Sequence, residues 1–227
     1  MLNVVLVEPE IPANTGNIGR TCVVSGTHLH LVGPLGFSLD DKSLKRAGMA
    51  YWQSLNVSVY DNWDQFLEKN GLAQASDAPA GDAAHDAVST VDGTSATSRS
   101  PLHFLTKKAK KTYTQATYCD GDYLIFGKES LGLSEELLAQ HADECERIPM
   151  LQDSASLVNR EDWSQKHDAL DGDDQHAHPA LLQQDICGNF IDPNEFSVSA
   201  LNVSNAAAIV LYEALRQIGF PGMAAGE

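Results

Sequence analysis

The sequence predicts an α/β protein with a mostly parallel sheet and helices on both faces. Three observations lead there: short apolar runs alternate with helical stretches, polar glycine-bearing loops follow several runs, and an uncharged apolar segment stands near the C-terminus. In chain order, Asn3–Val7 is an apolar run of strand length, residues 16–25 a helix, His28–Val32 a second strand and residues 42–47 a short helical turn. Residues 56–60 form a strand and 61–70 a helix. The series resumes with strands at 103–106 and Tyr123–Phe126, a helix over Glu135–Gln140 opened by Ser134, and a last strand at 146–148. The final helix carries no charge from Ala206 to Tyr212, so it should be buried nearly all round, with Asn202, Ser204 and Asn205 at its start. Free N–H groups there could hold a carboxylate, a nucleotide or a partner's backbone; an ordinary capped core helix is the plainer reading of that run by itself.

A chain of 227 residues with 43% hydrophobic residues is long enough for one substantial core, so one domain over 1–227 is expected. No basic segment leading into an apolar stretch opens the chain, and no run of about eighteen apolar residues occurs, which points to a cytoplasmic protein without a membrane span. Cys22, Cys119, Cys145 and Cys187 are widely spaced and form no C-x-x-C pair, so free thiols are expected. The net charge of −16 argues against nucleic acid, but its distribution changes that reading. Segment 72–100 holds four acids and one base, and 151–199 ten acids and two bases, so −3 and −8 of the charge sit there and −5 remains. Within the remainder lie Lys42, Lys45 and Arg46, and the cluster Lys107, Lys108, Lys110, Lys111; these are candidate RNA contacts, against the ordinary reading of solvated faces.

Residues 73–100 are nearly all small and polar without an aromatic, too poor in apolar surface to offset the entropy of ordering, and read as a mobile surface insertion. Residues 151–199 form a second insertion with Trp163, Phe190 and Phe196 available to dock, in the manner of a functional lid. His176 and His178 make an H-x-H in it, for which a hydrophilic loop is preferred over a metal site; no metal is expected.

Two loops carry the chemistry-bearing residues. After the first strand come Asn14, Asn17 and Arg20 at three-residue spacing, which sets Asn17 and Arg20 on one helix face with Asn14 at its start. The dinucleotide pattern G-x-G-x-x-G is absent. After Phe126 the run Gly127-Lys128-Glu129-Ser130-Leu131-Gly132-Leu133-Ser134 offers one acid between glycines that allow close backbone approach; alone, each loop could be a structural turn.

Taken together, N-x-G-N-x-x-R at 14–20, F-G-x-E-x-x-G-L at 126–133, and Ile148-Pro149-Met150 followed by Leu201-Asn202-Val203-Ser204-Asn205-Ala206 resemble, in order, the three motifs of the SPOUT superfamily of RNA methyltransferases. Residues 1–12, 33–48 and 120–127 look closest to its TrmL-like branch, which methylates the ribose 2′-hydroxyl of the wobble cytidine or uridine in tRNA. The likeness covers about 1–71, 101–150 and 200–223. It implies a C-terminal deep trefoil knot, a homodimer, an anticodon-loop substrate and S-adenosyl-L-methionine as cofactor, with Leu105, Thr106, Gly127, Ile148, Met150, Ala200 and Leu201 lining the cofactor pocket. Those residues offer mainly backbone and apolar contacts, which suit a purine and a zwitterion better than a polyphosphate. By the same likeness Arg20 activates the ribose hydroxyl, Asn14 and Asn17 orient the loop and ribose, and Glu129 holds neighbouring donors. A protonated guanidinium is a poor base, so electrostatic activation of an incipient alkoxide is the easier role. The chain departs from the pattern at Ser199-Ala200, where the family has Arg-Ser, and in the length of 151–199; residues 153–157, with Ser156 and Leu157, could supply the cofactor loop instead. The alternatives are another tRNA or rRNA site, or a knotted RNA-binding protein without activity.

Overall fold

The computed structural model describes residues 1–39, 50–72, 100–150 and 200–224. Seven strands, β1 (Asn3–Val7), β2 (His28–Val32), β3 (Val57–Tyr60), β4 (Leu102–Leu105), β5 (Lys111–Thr112), β6 (Tyr123–Phe126) and β7 (Cys145–Arg147), form one sheet in the order β3-β2-β1-β6-β4-β7-β5. Every pairing is parallel. Four described α-helices flank it: α1 (Pro12–Ser25), α2 (Trp63–Lys69), α3 (Glu135–Gln140) and α4 (Val203–Gln217).

Successive strand residues point to opposite faces, and both faces are covered, which is why the strands read as continuous apolar runs. Val4, Leu6, Leu29, Leu31, Leu124 and Phe126 pack with Ile18 and Cys22 of α1 and Val210, Leu211, Ala214 and Leu215 of α4. Val5, Val32, Phe104 and Ile125 face the other way, onto Phe66 of α2 and Leu138 of α3.

Most expected elements are present, with instructive differences. Helix α1 begins at Pro12, not at residue 16, because proline costs nothing at the first helical position, where its missing N–H has no partner to lose. Helix α2 starts two residues later than expected: Asn62 caps it by accepting the Gln65 amide at 2.9 Å. Strand β5, two residues long, was not anticipated, being too short to carry a periodicity. The final helix is not buried all round. Asn205, Ile209, Tyr212 and Arg216 form one exposed stripe, with Ile209 38% and Tyr212 42% exposed. The helical turn expected at 42–47 and both insertions lie outside the described residues.

Under β4, β6 and β7 sits a buried polar cluster. His103 faces Glu146 with Nδ1 (2.9 Å) and Asp122 with Nε2 (3.1 Å), while Tyr118 and Lys111 also donate to Glu146, at 2.7 and 3.3 Å. Among the described residues, no helix is long and apolar enough to cross a membrane, and no three His, Cys, Asp or Glu side chains are grouped to hold a metal ion. Cys22, Cys119 and Cys145 are free thiols.

Candidate active site

At the carboxyl end of β6 the chain enters a loop that folds back on itself. A Cβ on Gly127 would lie 2.1 Å from the Gly132 carbonyl carbon and 2.2 Å from the Leu133 nitrogen, so only glycine fits. Gly132, at φ 71°, closes the loop by donating its amide to the Lys128 carbonyl at 2.8 Å. Three successive loop residues then grip the segment between β1 and α1. Lys128 pairs with Glu8 at 2.7 Å. Glu129 accepts the amides of Glu10 (2.9 Å) and Ile11 (3.4 Å) and the Asn14 Nδ2 donor (3.0 Å). Ser130 returns the bond, giving its amide and hydroxyl to Glu10, both at 2.9 Å. Ile11 caps α1 with no side-chain acceptor of its own, so the Glu129 carboxylate supplies the negative charge that a helix start favours.

From Asn14 the chain of bonds continues into the C-terminal helix. Asn14 gives its amide nitrogen to a carboxylate, so its oxygen must be the atom that accepts Asn202 Nδ2, at 2.9 Å. That orientation turns Asn202 Oδ1 onto the Ser204 amide (2.8 Å) and hydroxyl (2.6 Å), capping α4. Glu129, Asn14 and Asn202, far apart in sequence, are thus joined in one directed relay, and Asn14 is only 1% exposed.

Arg20 and Asn17 lie elsewhere on α1. Six residues separate Asn14 from Arg20, about 9 Å along the axis and two-thirds of a turn out of phase. Asn14 therefore faces inward while Asn17 and Arg20 are exposed on the outer side, in line with Ala13 and Val24. The Arg20 guanidinium carbon stands over the ring of Tyr51, 5.2 Å from its centroid.

The residues expected at the cofactor pocket fall into two groups. Leu105 is in register with Phe126 on one side and Glu146 on the other, so the carboxyl ends of β6, β4 and β7 bring Leu105, Thr106, Gly127 and Ile148 onto one edge. Thr106 is fixed there by its amide, which donates to the Glu146 carbonyl at 2.9 Å. Met150 is half-buried, whereas Ala200 and Leu201 are exposed at the start of α4. Ser156, Leu157, His176 and His178 lie outside the described residues, as do Lys42, Lys45 and Arg46. Of the second basic cluster, Lys107 is exposed, Lys108 is paired with Glu135, and Lys111 reaches the buried Glu146.

Four participants were missed by sequence reasoning. Glu8 and Glu10 stood in the E-P-E run that leads into the helix, and with Lys128, Pro34, Leu35 and Gly36 they line a cleft of ≈ 230 Å³ at the carboxyl ends of β2, β1 and β6. Glu8 holds φ 50°, a backbone state uncommon outside glycine and a signal of local constraint. Ser130 and Tyr51 left no local signal, since their partners are distant in sequence.

Residues 1–158 match the model of the SpoU rRNA methylase family. A Geobacillus stearothermophilus protein provisionally named tRNA (cytidine(34)-2′-O)-methyltransferase is 36% identical over 225 residues, covering 98% of both chains. The Escherichia coli K12 protein named tRNA (cytidine(34)-2′-O)-methyltransferase is 33% identical over 223 residues, 98% of this chain and 97% of that one. A solved structure described as giving insights into the 2-OH methylation of C/U34 on tRNA superposes with a TM-score of 0.58 at 28% identity, covering 96% of this chain and 95% of the other.

Proposed function

Because the chain belongs to the SpoU rRNA methylase family, we propose that it methylates the ribose 2′-hydroxyl of the wobble nucleotide, cytidine or uridine, in the anticodon loop of tRNA, with S-adenosyl-L-methionine as cofactor. The observation that carries this reading is the relay from Glu129 through Asn14 to Asn202, which unites the three motif regions in one structure. Relatives named for that reaction across almost the whole chain support the choice of substrate. A tRNA substrate implies a cytoplasmic enzyme.

The carboxyl edge of β6, β4 and β7 fits the cofactor. Gly127 leaves the loop backbone bare, Leu105 and Ile148 offer apolar side chains, and none of Leu105, Thr106, Gly127, Ile148, Met150, Ala200 and Leu201 is charged, as suits a purine and a zwitterion. When bound, the cofactor supplies an electrophilic methyl group on sulfonium. Arg20 lends its charge to the ribose 2′-oxygen, favouring the alkoxide character that grows during an in-line displacement while the hydroxyl proton passes to an RNA phosphate oxygen or to water. Glu129 is engaged by three donors, so its role is to hold the start of α1, and Asn14 with it, rather than to remove a proton. Asn17, beside Arg20 on the outer face, orients the ribose. Lys107, with Lys42, Lys45 and Arg46, contacts RNA phosphates.

The active form is a homodimer. Helices α1 and α4 share one core cluster and each leaves an exposed stripe, Ala13, Asn17, Arg20 and Val24 on one, Asn205, Ile209, Tyr212 and Arg216 on the other, with Val24 62% exposed. A second copy seated there would bury this apolar surface and border Arg20. The trefoil knot belongs to the same proposal and rests on membership of the family.

The test is methylation of unmodified tRNA bearing C34 or U34, with ribosomal RNA in parallel, followed by mapping of ribose-methylated positions. A single 2′-O-methyl group at position 34 is expected. Methylation confined to ribosomal RNA, or none in a cofactor-binding preparation, would overturn the assignment.

A further inference from the structure

We propose that Tyr51 is a positioning residue for Arg20, holding the guanidinium by its ring face so that the positive charge is aimed without being neutralised. The inference rests on the reaction assigned above, in which Arg20 acts on the ribose hydroxyl. Tyr51 lies in the 3₁₀ turn Ala50–Ser54, which packs across α1. Its ring stands under the Arg20 guanidinium carbon at 5.2 Å, and its hydroxyl donates to the carbonyl of Gly16. In an α-helix that carbonyl also accepts the amide of Arg20 itself, four residues on, so ring and arginine share one point of reference. Gly19, on the same face, makes room: a Cβ there would meet Leu55 Cδ2 at 3.1 Å and the Tyr51 ring at 3.6 Å. Burial pushes the Tyr51 phenol above its ordinary value against the pull of the Arg20 charge, so the hydroxyl stays protonated and able to donate.

The chemistry explains why an aromatic ring is used. An arginine on an exposed helix face loses rotamer freedom when it is fixed, and a carboxylate partner would fix it while cancelling the charge the reaction needs. The negative face of an aromatic ring attracts the cation and leaves its net charge available to a developing alkoxide. The carboxylates of this site are engaged elsewhere: Glu129 by Glu10, Ile11 and Asn14, Glu10 by Ser130, and Glu8 by Lys128.

The experiment compares Tyr51→Leu, Tyr51→Phe and Tyr51→Trp with the parent for kcat, KM for tRNA, cofactor affinity by calorimetry and thermal unfolding. Tyr51→Leu should lower kcat about tenfold, the scale of a cation–π contact, with KM and cofactor affinity within about twofold. Tyr51→Phe and Tyr51→Trp, which keep a ring, should recover most of that loss. Should Tyr51→Leu not fold, Tyr51→Met takes its place. The proposal is overturned if the apolar variant keeps kcat within twofold, or if it and the ring-bearing variants are equally impaired. Arg20→Ala, run alongside, separates the two failures: if it remains active, the role of Arg20 itself is wrong. If it is inactive while Tyr51→Leu is not impaired, only the positioning role falls.

Discussion

At the scale of single residues, two buried histidines show how neighbours decide charge. His103 presents both ring nitrogens to carboxylate oxygens, and only an imidazolium can donate to both, since a neutral ring has one N–H. Burial by itself lowers its pKa, but the hydrogen bonds and charges of Asp122 and Glu146 outweigh it and raise the group above its ordinary value. His30 is the opposite case. Asn3 spends its amide nitrogen on the Gly121 and Asp122 carbonyls, so its oxygen accepts His30 Nε2–H, and Nδ1 accepts the Tyr60 hydroxyl. Burial and the neighbouring His28 push it down to about 3. The linkage signs differ accordingly. The His103 contribution is complete below the unfolded-state value, about 6.5, and is lost as pH rises through its higher folded value. The His30 contribution is present above about 6.5 and is lost as pH falls toward 3. Urea unfolding between pH 5 and 8.5 should therefore show His103→Gln losing the decline on the alkaline side while keeping the acid side. An unchanged alkaline slope would mean that the ring is neutral.

Thr15 allows a second residue-scale prediction. Its hydroxyl is buried without a hydrogen-bond partner among the described residues, one turn before Gly19 on α1. Thr15→Val removes an unsatisfied polar atom at constant shape, so stability should rise by about 1 kcal/mol in urea unfolding, and a loss of that size would indicate an unseen partner.

At the scale of elements, the glycine loop is the part least able to change. Gly127→Ala forces a methyl group into backbone atoms of the same loop, which cannot give way as a side-chain end can. The variant should lose about 2–3 kcal/mol of stability and nearly all activity, with unfolding and methyl-transfer assays as the checks; stability within about 0.5 kcal/mol of the parent would contradict the tight crossing. The strands and α3 were legible because a sheet covered on both faces writes itself as apolar runs, and because Ser134 is a plain cap, accepting the Leu137 amide at 3.2 Å. Less was legible where long-range contacts override local pattern. From the sequence α1 is expected to start at residue 16, yet the helix runs back to Pro12 and so sets Asn14 inside it. Asn14, Arg20 and Glu129 could be picked out as candidates, but not that Asn14 and Glu129 meet while Arg20 turns outward onto Tyr51, since only the tertiary fold decides which helix face is inward.

At the scale of the whole molecule, the exposed stripe on α4 is a departure from the sequence pattern that makes sense if the chain does not act alone. An apolar helix is expected to be covered on every side, and here Ile209 and Tyr212 are left partly exposed by the described residues. Light scattering should report a dimer. Tyr212→Arg together with Ile209→Arg should shift it at least tenfold toward monomer, through lost burial and like-charge repulsion. A parent that remains monomeric at tens of micromolar would remove the dimer from the proposal.

The relay from Glu129 to Asn14 to Asn202 also constrains when the protein can work. Its members are 115 and 188 residues apart, so no early part of a growing polypeptide holds a complete site. The central sheet can pair β1, β2 and β6 once residue 126 is made, but the cap on α4 must wait for residues 202–204. Contacts of such span form slowly, because chain closure costs entropy before any contact offsets it. On the function proposed above, translation delivers the sheet first, and methyl transfer must await the docking of the last helix.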